Sequence, residues 1–284
     1  MPHIQKIVLM GSPEYALPTL QAVASRFSES IVGVFTQPDK PKGRGQHLEP
    51  TPIKAWALNS GYTVYTPSTK QEVQNLCFEL EPDFILVIAY GMILPKALTD
   101  RFFCLNSHGS LLPLYRGASP IHAALLNGDS HTGVTLIRMN EKMDEGDILA
   151  IESCPILSED TLKSVHDKLA QLSASLCLNF LVEYAQNKHH SGTPQDASKA
   201  TNCHKLSSED RQLLPEETSE QKWRKIKAFS PSPGAYWMQD GKRIKILEAF
   251  VDRGALIPVK IQPEGKPPMR YADYCLGNTK GLTL

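Results

Sequence analysis

The sequence predicts an α/β fold, with a doubly wound, mostly parallel sheet in the N-terminal part of the chain and a smaller β-rich domain after it. Short β-type runs alternate with helical patterns as far as residue 139, which is the order expected of a parallel sheet with crossover helices. Residues 83–89 form a nearly continuous apolar run, typical of a central strand covered on both faces. Behind a polar segment, short β-type runs alternate with turns, and these predict the second domain.

The elements of the first domain follow from the spacing of its apolar residues. Strands at 6–10 and 31–36 flank a helix with apolar positions from Ala16 to Ala24, which predicts a βαβ unit. The elements predicted after it are a helix at 53–58, a strand at 62–65, a helix at 70–80, the strand at 83–89, a strand that ends at residue 108, a helix at 120–126 and a strand at 133–139. This order predicts a Rossmann-like domain.

A long helix and a polar segment set the predicted domain bounds. Apolar residues at steps of three and four predict a helix over 161–186. The polar residues behind it predict a linker at 188–205, between a domain at 1–187 and a domain at 206–284. The elements predicted in the last domain are a helix at 221–229 and strands at 235–238, 243–249 and 256–261, with turns at Asp240-Gly241 and Arg253-Gly254.

The charge of the chain is zero overall but unevenly distributed. A formal net charge of zero argues against a general nucleic-acid binder. From Lys222 to Leu284, however, twelve basic residues face five acidic ones, a net charge of +7. Such an asymmetry is typical of a segment that contacts a polyanion, although a merely solvated surface would show the same charges.

Cysteine usage and hydropathy indicate the compartment. The six cysteines form no CxxC pair, so we expect reduced thiols and no zinc or redox motif. The first residues do not resemble a signal peptide, and no apolar run is long enough to cross a membrane. We therefore expect a cytoplasmic protein without a membrane partner and without a bound metal.

The strand predicted to end at residue 108 carries polar side chains that could do chemistry. Asn106 and His108 are two residues apart, so they point to the same side of an extended strand. His108 can take up a proton near neutral pH, and Asn106 can donate to an oxygen that becomes negative. A base and an oxyanion donor at one strand end are what acyl transfer requires. A structural histidine is the alternative.

An acidic turn follows the strand predicted at 133–139. Asp144 lies in this turn, and we expect it at another strand end on the same edge of the sheet, where a carboxylate would orient His108. Taken alone, an acidic turn with a glycine is more typical of a solvated loop. A calcium loop would need more oxygen ligands than this spacing supplies.

Two further turns follow predicted strands, where a ligand could bind. The turn at 11–14 lacks the pattern G-x-G-x-x-G, so no dinucleotide site is predicted there. The loop at 37–46 contains Lys40, Lys42 and Arg44, the last between two glycines. It is either an ordinary surface loop or a clamp for a phosphate or a large substrate.

Several motifs resemble the methionyl-tRNA formyltransferase family, which uses 10-formyltetrahydrofolate as formyl donor. The loop at 34–45 resembles the substrate loop of the family. Residues 89–95, 106–113, 115–120 and 143–147 are similar to its folate and catalytic motifs. The resemblance is colinear over residues 7–155. Residues 228–235 resemble a family segment that has a tryptophan where this chain has Ser232, and the tail from Pro263 differs from the usual barrel ending.

The resemblance implies a function and a set of site residues. It assigns catalysis to Asn106, His108 and Asp144, and the aminoacyl end of tRNA to Lys40, Lys42 and Arg44. The residues it places at the folate site are Ser110, Leu111, Leu112, Pro113, Val87, Ile88, Ala89, Tyr90 and Gly91. It also implies an OB-like C-terminal domain that binds the tRNA, with initiator methionyl-tRNA as acceptor and no metal.

The alternatives are formyltransferases with other acceptors and a protein that is not an enzyme. A sugar-nucleotide N-formyltransferase or a glycinamide ribonucleotide formyltransferase would share the three catalytic residues, but neither calls for a basic loop together with a basic C-terminal segment. A non-enzymatic RNA-binding protein on a decayed enzyme scaffold would not need Asn106, His108 and Asp144. We expect a monomer.

Overall fold

The computed structural model describes residues 5–42, 47–187, 191–278 and 280–283. The chain forms two compact units. The first comprises Met1–Gly117, Gly133–Cys154 and Asp167–Asn202, and the second comprises Ala118–Thr132, Pro155–His166 and Cys203–Leu284. The domain bounds at 1–187, 188–205 and 206–284 stay a prediction.

The described residues form strands β1–β15 and helices α1–α8, numbered in chain order. The strands are β1 Ile7–Gly11, β2 Ile31–Phe35, β3 Lys40–Lys42, β4 His47–Glu49, β5 Val64–Tyr65, β6 Phe84–Ile88, β7 Phe103–His108, β8 Arg116–Gly117, β9 His131–Arg138, β10 Asp147–Pro155, β11 Asn202–Cys203, β12 Ala235–Gln239, β13 Lys242–Asp252, β14 Ala255–Pro263 and β15 Met269–Arg270. The helices are α1 Leu17–Phe27, α2 Pro52–Asn59, α3 Lys70–Leu80, α4 Lys96–Arg101, α5 Pro120–Asn127, α6 Leu162–Asn187, α7 Ser219–Ala228 and α8 Tyr271–Gly277.

A seven-stranded sheet in the order β10-β9-β7-β6-β1-β2-β5 is the framework of the first unit. The pairs β1–β2, β1–β6, β2–β5 and β6–β7 are parallel. From β1 the chain adds β2 and β5 on one side and β6 and β7 on the other, which confirms the predicted doubly wound, mostly parallel fold. The reversal of strand order lies between β1 and β6, where open α/β sheets bind their ligands.

The apolar run that predicted a central strand is β6, and all five of its residues are buried. It ends at Ile88 because Ala89 has φ +46° and Gly91 has φ +85°, so the chain leaves the extended conformation there. Helix α3 has the predicted bounds. It begins after Thr69, whose side chain accepts a hydrogen bond from the Glu72 N–H, because an N-cap oxygen satisfies a free amide of the first turn.

Strand β9 runs opposite to the direction that the sequence analysis expected. It pairs with β7 in antiparallel register, with Asn106 opposite Ile137 and His108 opposite Thr135. Its last residue, Arg138, therefore pairs with Leu105 rather than lying at the carboxyl edge of the sheet. The expectation that Asp144 follows a strand ending on that same edge is wrong. Asp144 instead lies in the turn between β9 and β10.

Ser12 links three strand ends at the carboxyl edge. Its hydroxyl donates to the carbonyl oxygen of Tyr90 at 2.9 Å and accepts a hydrogen bond from the Gln37 N–H at 3.2 Å. These residues follow β1, β6 and β2 respectively. A side chain from the turn after β1 therefore connects the chain segments that follow β6 and β2, next to the reversal of strand order.

Several strands and helices of the structure were not predicted from the sequence. Strand β10 and helix α4 were not predicted, and the predicted loop at 37–46 contains strand β3, which pairs with β4 directly after the loop. Strand β15 and helix α8 were also missed. Elements this short carry too few residues for a periodic signal, and half of β10 is exposed, which removes the apolar alternation.

A four-stranded antiparallel sheet in the order β12-β13-β14-β15 forms the core of the second unit. Both predicted turns are present. Asp240 and Gly241 have φ of +49° and +74°, and Arg253 and Gly254 have φ of +47° and +80°, as two-residue hairpin turns require. The predicted separate, β-rich C-terminal domain is confirmed.

Candidate active site

The strand β7 brings Asn106 and His108 to one face of the sheet, between β6 and β9. Both side chains are largely buried, with 9 % and 6 % of the residue surface exposed. Their neighbours across the sheet are apolar or small, since Asn106 lies between Val87 and Ile137. Two polar side chains held at a rigid strand end can keep a fixed geometry toward a substrate.

Asp144 joins these two residues, as the sequence analysis expected, although by a different route. Its Oδ1 accepts a hydrogen bond from Asn106 Nδ2 at 3.3 Å, and its Oδ2 accepts one from the Gly117 N–H at 2.9 Å. The same Oδ2 lies 3.6 Å from His108 Nδ1. Asp144 has φ +55°, a left-handed conformation that Asp tolerates better than most residues. The Asp144 carboxylate thus contacts Asn106, His108 and the main chain of Gly117.

The second nitrogen of His108 faces the main chain. Nε2 lies 2.9 Å from the carbonyl oxygen of Tyr115. A carbonyl only accepts hydrogen bonds, so Nε2 carries the hydrogen and donates it. In the neutral ring the lone pair is then on Nδ1, the nitrogen that faces Asp144. The site therefore presents a basic nitrogen next to a carboxylate and an amide donor.

Two main-chain groups that side-chain patterns did not predict also belong to this site. The Tyr115 carbonyl and the Gly117 N–H contact His108 and Asp144. Tyr115 and Arg116 are in turn held by Thr201, which accepts from the Tyr115 N–H through its hydroxyl and from the Arg116 N–H through its carbonyl. Main-chain groups leave no residue signature, so only the resemblance of residues 115–120 pointed to this stretch.

The residues predicted at the folate site divide into buried and exposed groups. The side chains of Val87, Ile88 and Tyr90 are in the core. Ala89 and Gly91 are exposed. The neighbouring Met92 is partly exposed and Ile93 is 42 % exposed, and both lie in the motif at 89–95 that resembles the family. The accessible part of this segment is therefore the turn after β6, which offers main-chain groups and apolar side chains.

The segment 110–113 is held by internal hydrogen bonds. Ser110 is fully buried, and its hydroxyl donates to the carbonyl oxygen of Leu114 at 2.6 Å. Thr135 Oγ1 donates to the Ser110 carbonyl and accepts from the Leu112 N–H. Leu112 is buried, whereas Leu111 and Pro113 are partly exposed. The Ser110 hydroxyl therefore shapes the turn and is already engaged within the chain.

The basic loop lies only partly within the described residues. Lys40 and Lys42 lie on β3, which pairs with β4 in antiparallel register. Arg44 lies outside the described residues. Next to the ribbon, Lys54 makes an ion pair of 2.7 Å with Asp39, and this pair ties the base of the ribbon to α2.

Comparison with known proteins identifies the family. The family model described as Formyl transferase matches residues 5–181, and the model described as Formyl transferase, C-terminal domain, matches residues 205–255. The chain belongs to the formyl transferase family. The residues matched by the first model include the whole β7 strand end and the Asp144 turn.

Relatives of this formyl transferase share the name methionyl-tRNA formyltransferase. One from Paramagnetospirillum magneticum is 36 % identical, over 98 % of this chain and 99 % of the relative. One from Legionella pneumophila strain Paris is 40 % identical, over 86 % of this chain and 78 % of the relative. The similarity thus extends beyond residues 7–155, over which the resemblance of the motifs is colinear.

Solved structures share the fold of this formyl transferase. A methionyl-tRNA formyltransferase from Clostridium thermocellum has a TM-score of 0.62 at 17 % identity, covering 92 % of this chain and 99 % of that one. The sugar 3N-formyl transferase WlaRD, solved with dTDP and 5-N-formyl-THF, has a TM-score of 0.69 at 18 % identity, covering 93 % and 100 %. At such identities the likeness concerns the fold alone. Within the described residues, no helix has the length and apolar character needed to span a bilayer.

Proposed function

We propose that this formyl transferase moves the formyl group of 10-formyltetrahydrofolate to the free amino group of initiator methionyl-tRNA and so makes formylmethionyl-tRNA for translation initiation. The observation that carries the chemistry is the meeting of Asn106, His108 and Asp144 at one strand end. The acceptor is supported by the relatives of 36–40 % identity that carry this enzyme's name.

Formyl transfer joins the amine nitrogen to the formyl carbon and breaks the bond between that carbon and the folate nitrogen. The formyl oxygen gains negative charge while the carbon is tetrahedral. Asn106 Nδ2 carries two hydrogens, of which one points to Asp144. The other is available to the oxyanion. A preorganised donor of this kind contributes roughly 3–4 kcal/mol to the stability of the transition state.

His108 takes the proton that the attacking amine must lose. Its lone pair is on Nδ1, because Nε2 donates to Tyr115. Nδ1 accepts the proton directly or through one water and later returns it to the folate nitrogen as the bond to carbon breaks. The ring does not need to turn during this exchange, since the hydrogen bond to Tyr115 is kept in both protonation states.

The Asp144 carboxylate balances the charge of the protonated ring. Its Oδ2 faces His108 Nδ1, and its Oδ1 holds the Asn106 amide. The carboxylate therefore attracts the ring once it is protonated and holds the oxyanion donor through a hydrogen bond. The Gly117 N–H fixes the carboxylate itself. The proposed steps use only these side chains and need no metal ligand.

The turn after β6 supports a folate site beside the catalytic residues. Strands β6 and β7 are neighbours, so about 5 Å separates their ends. Main-chain groups of Ala89 and Gly91 and the accessible side chains of Met92 and Ile93 fit a flat, polar-edged ring with apolar faces. Leu111 and Pro113 provide the other accessible apolar surface among the predicted folate residues.

The tRNA contacts are proposed from charge. Lys40 and Lys42 are on the β3–β4 ribbon and, with Arg44, would contact the aminoacyl end. In the second unit, basic residues exposed on the antiparallel sheet and its turns would contact the tRNA body. They are Lys242, Arg243, Arg253, Lys260, Lys266 and Arg270. We propose that this enzyme is a cytoplasmic monomer.

Some basic residues of the +7 segment are engaged within the second unit. Lys222 is buried, with Nζ 5.3 Å from the centroid of the Trp237 ring. Lys225 pairs with Glu217, and Lys227 lies over the Trp223 ring at 3.5 Å. These lysines stabilise the packing around α7, so the charge available to a polyanion is concentrated on the sheet.

Single-turnover formyl transfer tests the proposal. The protein is mixed with 10-formyltetrahydrofolate and methionyl-tRNA, and formylmethionyl-tRNA is measured. We expect product, with a rate about 100-fold or more lower for His108→Ala. His131→Ala is the matched control, because His131 is exposed and its ring contacts Ser130. Product with an amino-sugar nucleotide but none with methionyl-tRNA would replace this function by sugar N-formyl transfer.

A further inference from the structure

The carboxamide of Gln195 makes four hydrogen bonds next to the active site. Nε2 donates to the carbonyl oxygens of Asp144 at 2.7 Å and Gly146 at 2.8 Å. Oε1 accepts from Arg116 Nε at 3.0 Å and Nη2 at 2.8 Å. A glutamine amide has two donor hydrogens and two acceptor lone pairs. All four are used, in a geometry that no other uncharged side chain of this length provides.

Gln195 thereby connects the two segments that hold the catalytic groups. One is the turn that contains Asp144. The other is the 115–117 stretch, whose main chain binds His108 Nε2 and Asp144 Oδ2. Arg116 also reaches the Asp144 turn directly, with Nη1 3.5 Å from Glu145 Oε1. The arginine side chain is only 10 % exposed, so these charge-assisted contacts are weakly screened by solvent.

Few apolar side chains pack the Asp144 turn against the rest of the first unit. The side chains of Lys142, Met143 and Glu145 are exposed, and Asp144 itself has a left-handed conformation that costs energy for a residue with a Cβ. Apolar packing therefore does not fix this turn. Its main-chain carbonyls need partners, and Gln195 provides them for the residues on either side of Glu145.

Gln195 is itself anchored in the first unit. Thr193, two residues earlier, exchanges two main-chain hydrogen bonds of 2.8 Å with Ile148. Asp196, the next residue, caps a short 3-10 turn over Ala197–Lys199 through the Ser198 N–H. Composition had placed Gln195 in the predicted linker at 188–205. Its hydrogen bonds place Gln195 against the main chain of the Asp144 turn.

We propose that Gln195, braced by Arg116, is a positioning residue for formyl transfer, which fixes Asp144 against Asn106 and His108. This inference deepens the proposed function and rests on it. Gln195 acts through the main chain of the Asp144 turn and does not touch the substrates. Its loss should therefore lower kcat and leave the binding of both substrates nearly unchanged, because only the alignment in the transition state is affected.

The isosteric variant Gln195→Glu tests the positioning role. Glutamate keeps an acceptor oxygen for Arg116. In place of the NH2 group that donates to the carbonyl oxygens of Asp144 and Gly146, however, it has a carboxylate oxygen, which cannot donate to them. We expect kcat to fall about 100-fold, the scale of a 1 Å misplacement, while KM for each substrate changes by less than about threefold. Asp196→Ala is the matched control, since it disturbs the same segment without touching the Asp144 turn. Thermal unfolding of both variants shows whether each is folded.

A second variant pair and a second measurement keep the test independent of folding. In an Asp144→Asn background, Gln195→Ala should lower kcat by less than about threefold, because the carboxylate that it positions is already absent. Amide hydrogen exchange of Gly117 should become faster in Gln195→Glu, because the Asp144 carboxylate that accepts its N–H moves away.

Three outcomes separate the two proposals. Wild-type protein that transfers no formyl group to any acceptor contradicts the proposed function. An active wild-type enzyme whose Gln195→Glu variant keeps its kcat contradicts only the positioning role. The same conclusion follows if Gln195→Ala lowers kcat equally with and without the Asp144 carboxylate, since the glutamine would then act independently of it.

Discussion

The carbonyl oxygen of Tyr115 accepts a hydrogen bond from Nε2 of His108, 2.9 Å away. Tyr115 has φ +60°, and its own N–H is held by the Thr201 hydroxyl, 86 residues further along the chain. A main-chain group thus decides which nitrogen of the histidine is basic. The basic nitrogen, Nδ1, is the one that faces Asp144.

This relationship predicts the tautomer of His108. In protein labelled with ¹⁵N in histidine, the neutral His108 ring should show a protonated Nε2 and an unprotonated Nδ1 in its nitrogen chemical shifts. The exposed His47 provides the comparison, because a ring in water exchanges between both tautomers. A neutral His108 ring protonated on Nδ1 would contradict the assignment of Nδ1 as the base.

Asn106→Ala should remove the oxyanion donor. We expect kcat to fall by about 10²- to 10³-fold with little change in the KM of either substrate, because the hydrogen bond to the oxygen forms fully only in the transition state. Steady-state kinetics with 10-formyltetrahydrofolate and methionyl-tRNA measures this. The stability of the variant is checked by thermal unfolding, and a folded variant with wild-type kcat would exclude Asn106 from catalysis.

Gly146→Ala should displace the Asp144 turn. A Cβ at Gly146 would overlap the carbonyl oxygen of Arg138, so the turn must move away from β9. We expect a loss of about 1–3 kcal/mol in the free energy of unfolding, as for other overpacked sites. We also expect kcat to fall about 100-fold.

Met143→Ala in the same turn is the control for Gly146→Ala, because the Met143 side chain is 51 % exposed. Denaturant unfolding measures the free energy of unfolding of both variants, and steady-state kinetics measures their kcat. Wild-type values for Gly146→Ala would mean that the turn does not need its close approach to Arg138.

His122 should make the stability of the second unit depend on pH. Burial lowers the pKa of His122 below its ordinary value, and its ring lies 5.3 Å from that of Phe229. As pH falls, the unfolded chain therefore binds the proton first. The contribution of His122 to stability is fully present above about pH 6.5 and is lost as pH falls through the lower, folded-state pKa.

Comparing His122→Gln with the wild type isolates this contribution. The difference in Tm between pH 7.5 and pH 5.5 should be smaller for the variant, because glutamine does not titrate in this range. The exposed residue His47 serves as control, and His47→Gln should keep the wild-type difference. An unchanged pH dependence in His122→Gln would refute the prediction.

The turns of the antiparallel sheet should contribute to the affinity for tRNA through charge. Lys242 and Arg253 are exposed at the two hairpin turns. In a Lys242→Gln, Arg253→Asn double variant, the slope of log affinity against log salt concentration should become shallower by about one unit for each phosphate that the protein no longer neutralises. Asparagine suits the positive φ of Arg253.

The matched control for the tRNA measurement is Lys70→Gln, which removes one exposed charge from α3 in the first unit. Filter binding of methionyl-tRNA between low and physiological salt provides the affinities. Unchanged slopes in the double variant would show that the tRNA body does not contact these turns.

Much of the framework could be predicted because the signals are local. The apolar run at 83–89 predicted the buried parallel strand β6, and the helix predicted at 70–80 has the observed bounds of α3. Asn106 and His108 lie at the end of a strand with an apolar run before them, so their place in the fold could be predicted. The family resemblance is confirmed by the match over residues 5–181, while the individual roles of the site residues stay a prediction.

The direction of β9 could not be read from the sequence. An eight-residue strand with buried residues on both faces looks the same whether it runs parallel or antiparallel to β7. The reasoning that placed Asp144 beside His108 was therefore wrong, although the two residues do meet. The turn between β9 and β10 brings Asp144 back along the sheet, and Gly146 permits its close approach to Arg138.

The sequence by itself determined the class of fold, the strand end that carries Asn106 and His108, and the chemistry that these side chains allow. These depend on apolar periodicity and on side-chain type, which each segment carries within itself. Only the tertiary structure decided which nitrogen of His108 faces Asp144, how Asp144 reaches it, and that Gln195, 51 residues after Asp144, donates a hydrogen bond to the main chain of the Asp144 turn. These depend on hydrogen bonds between main-chain groups and on contacts between distant segments, which no local pattern of side chains encodes.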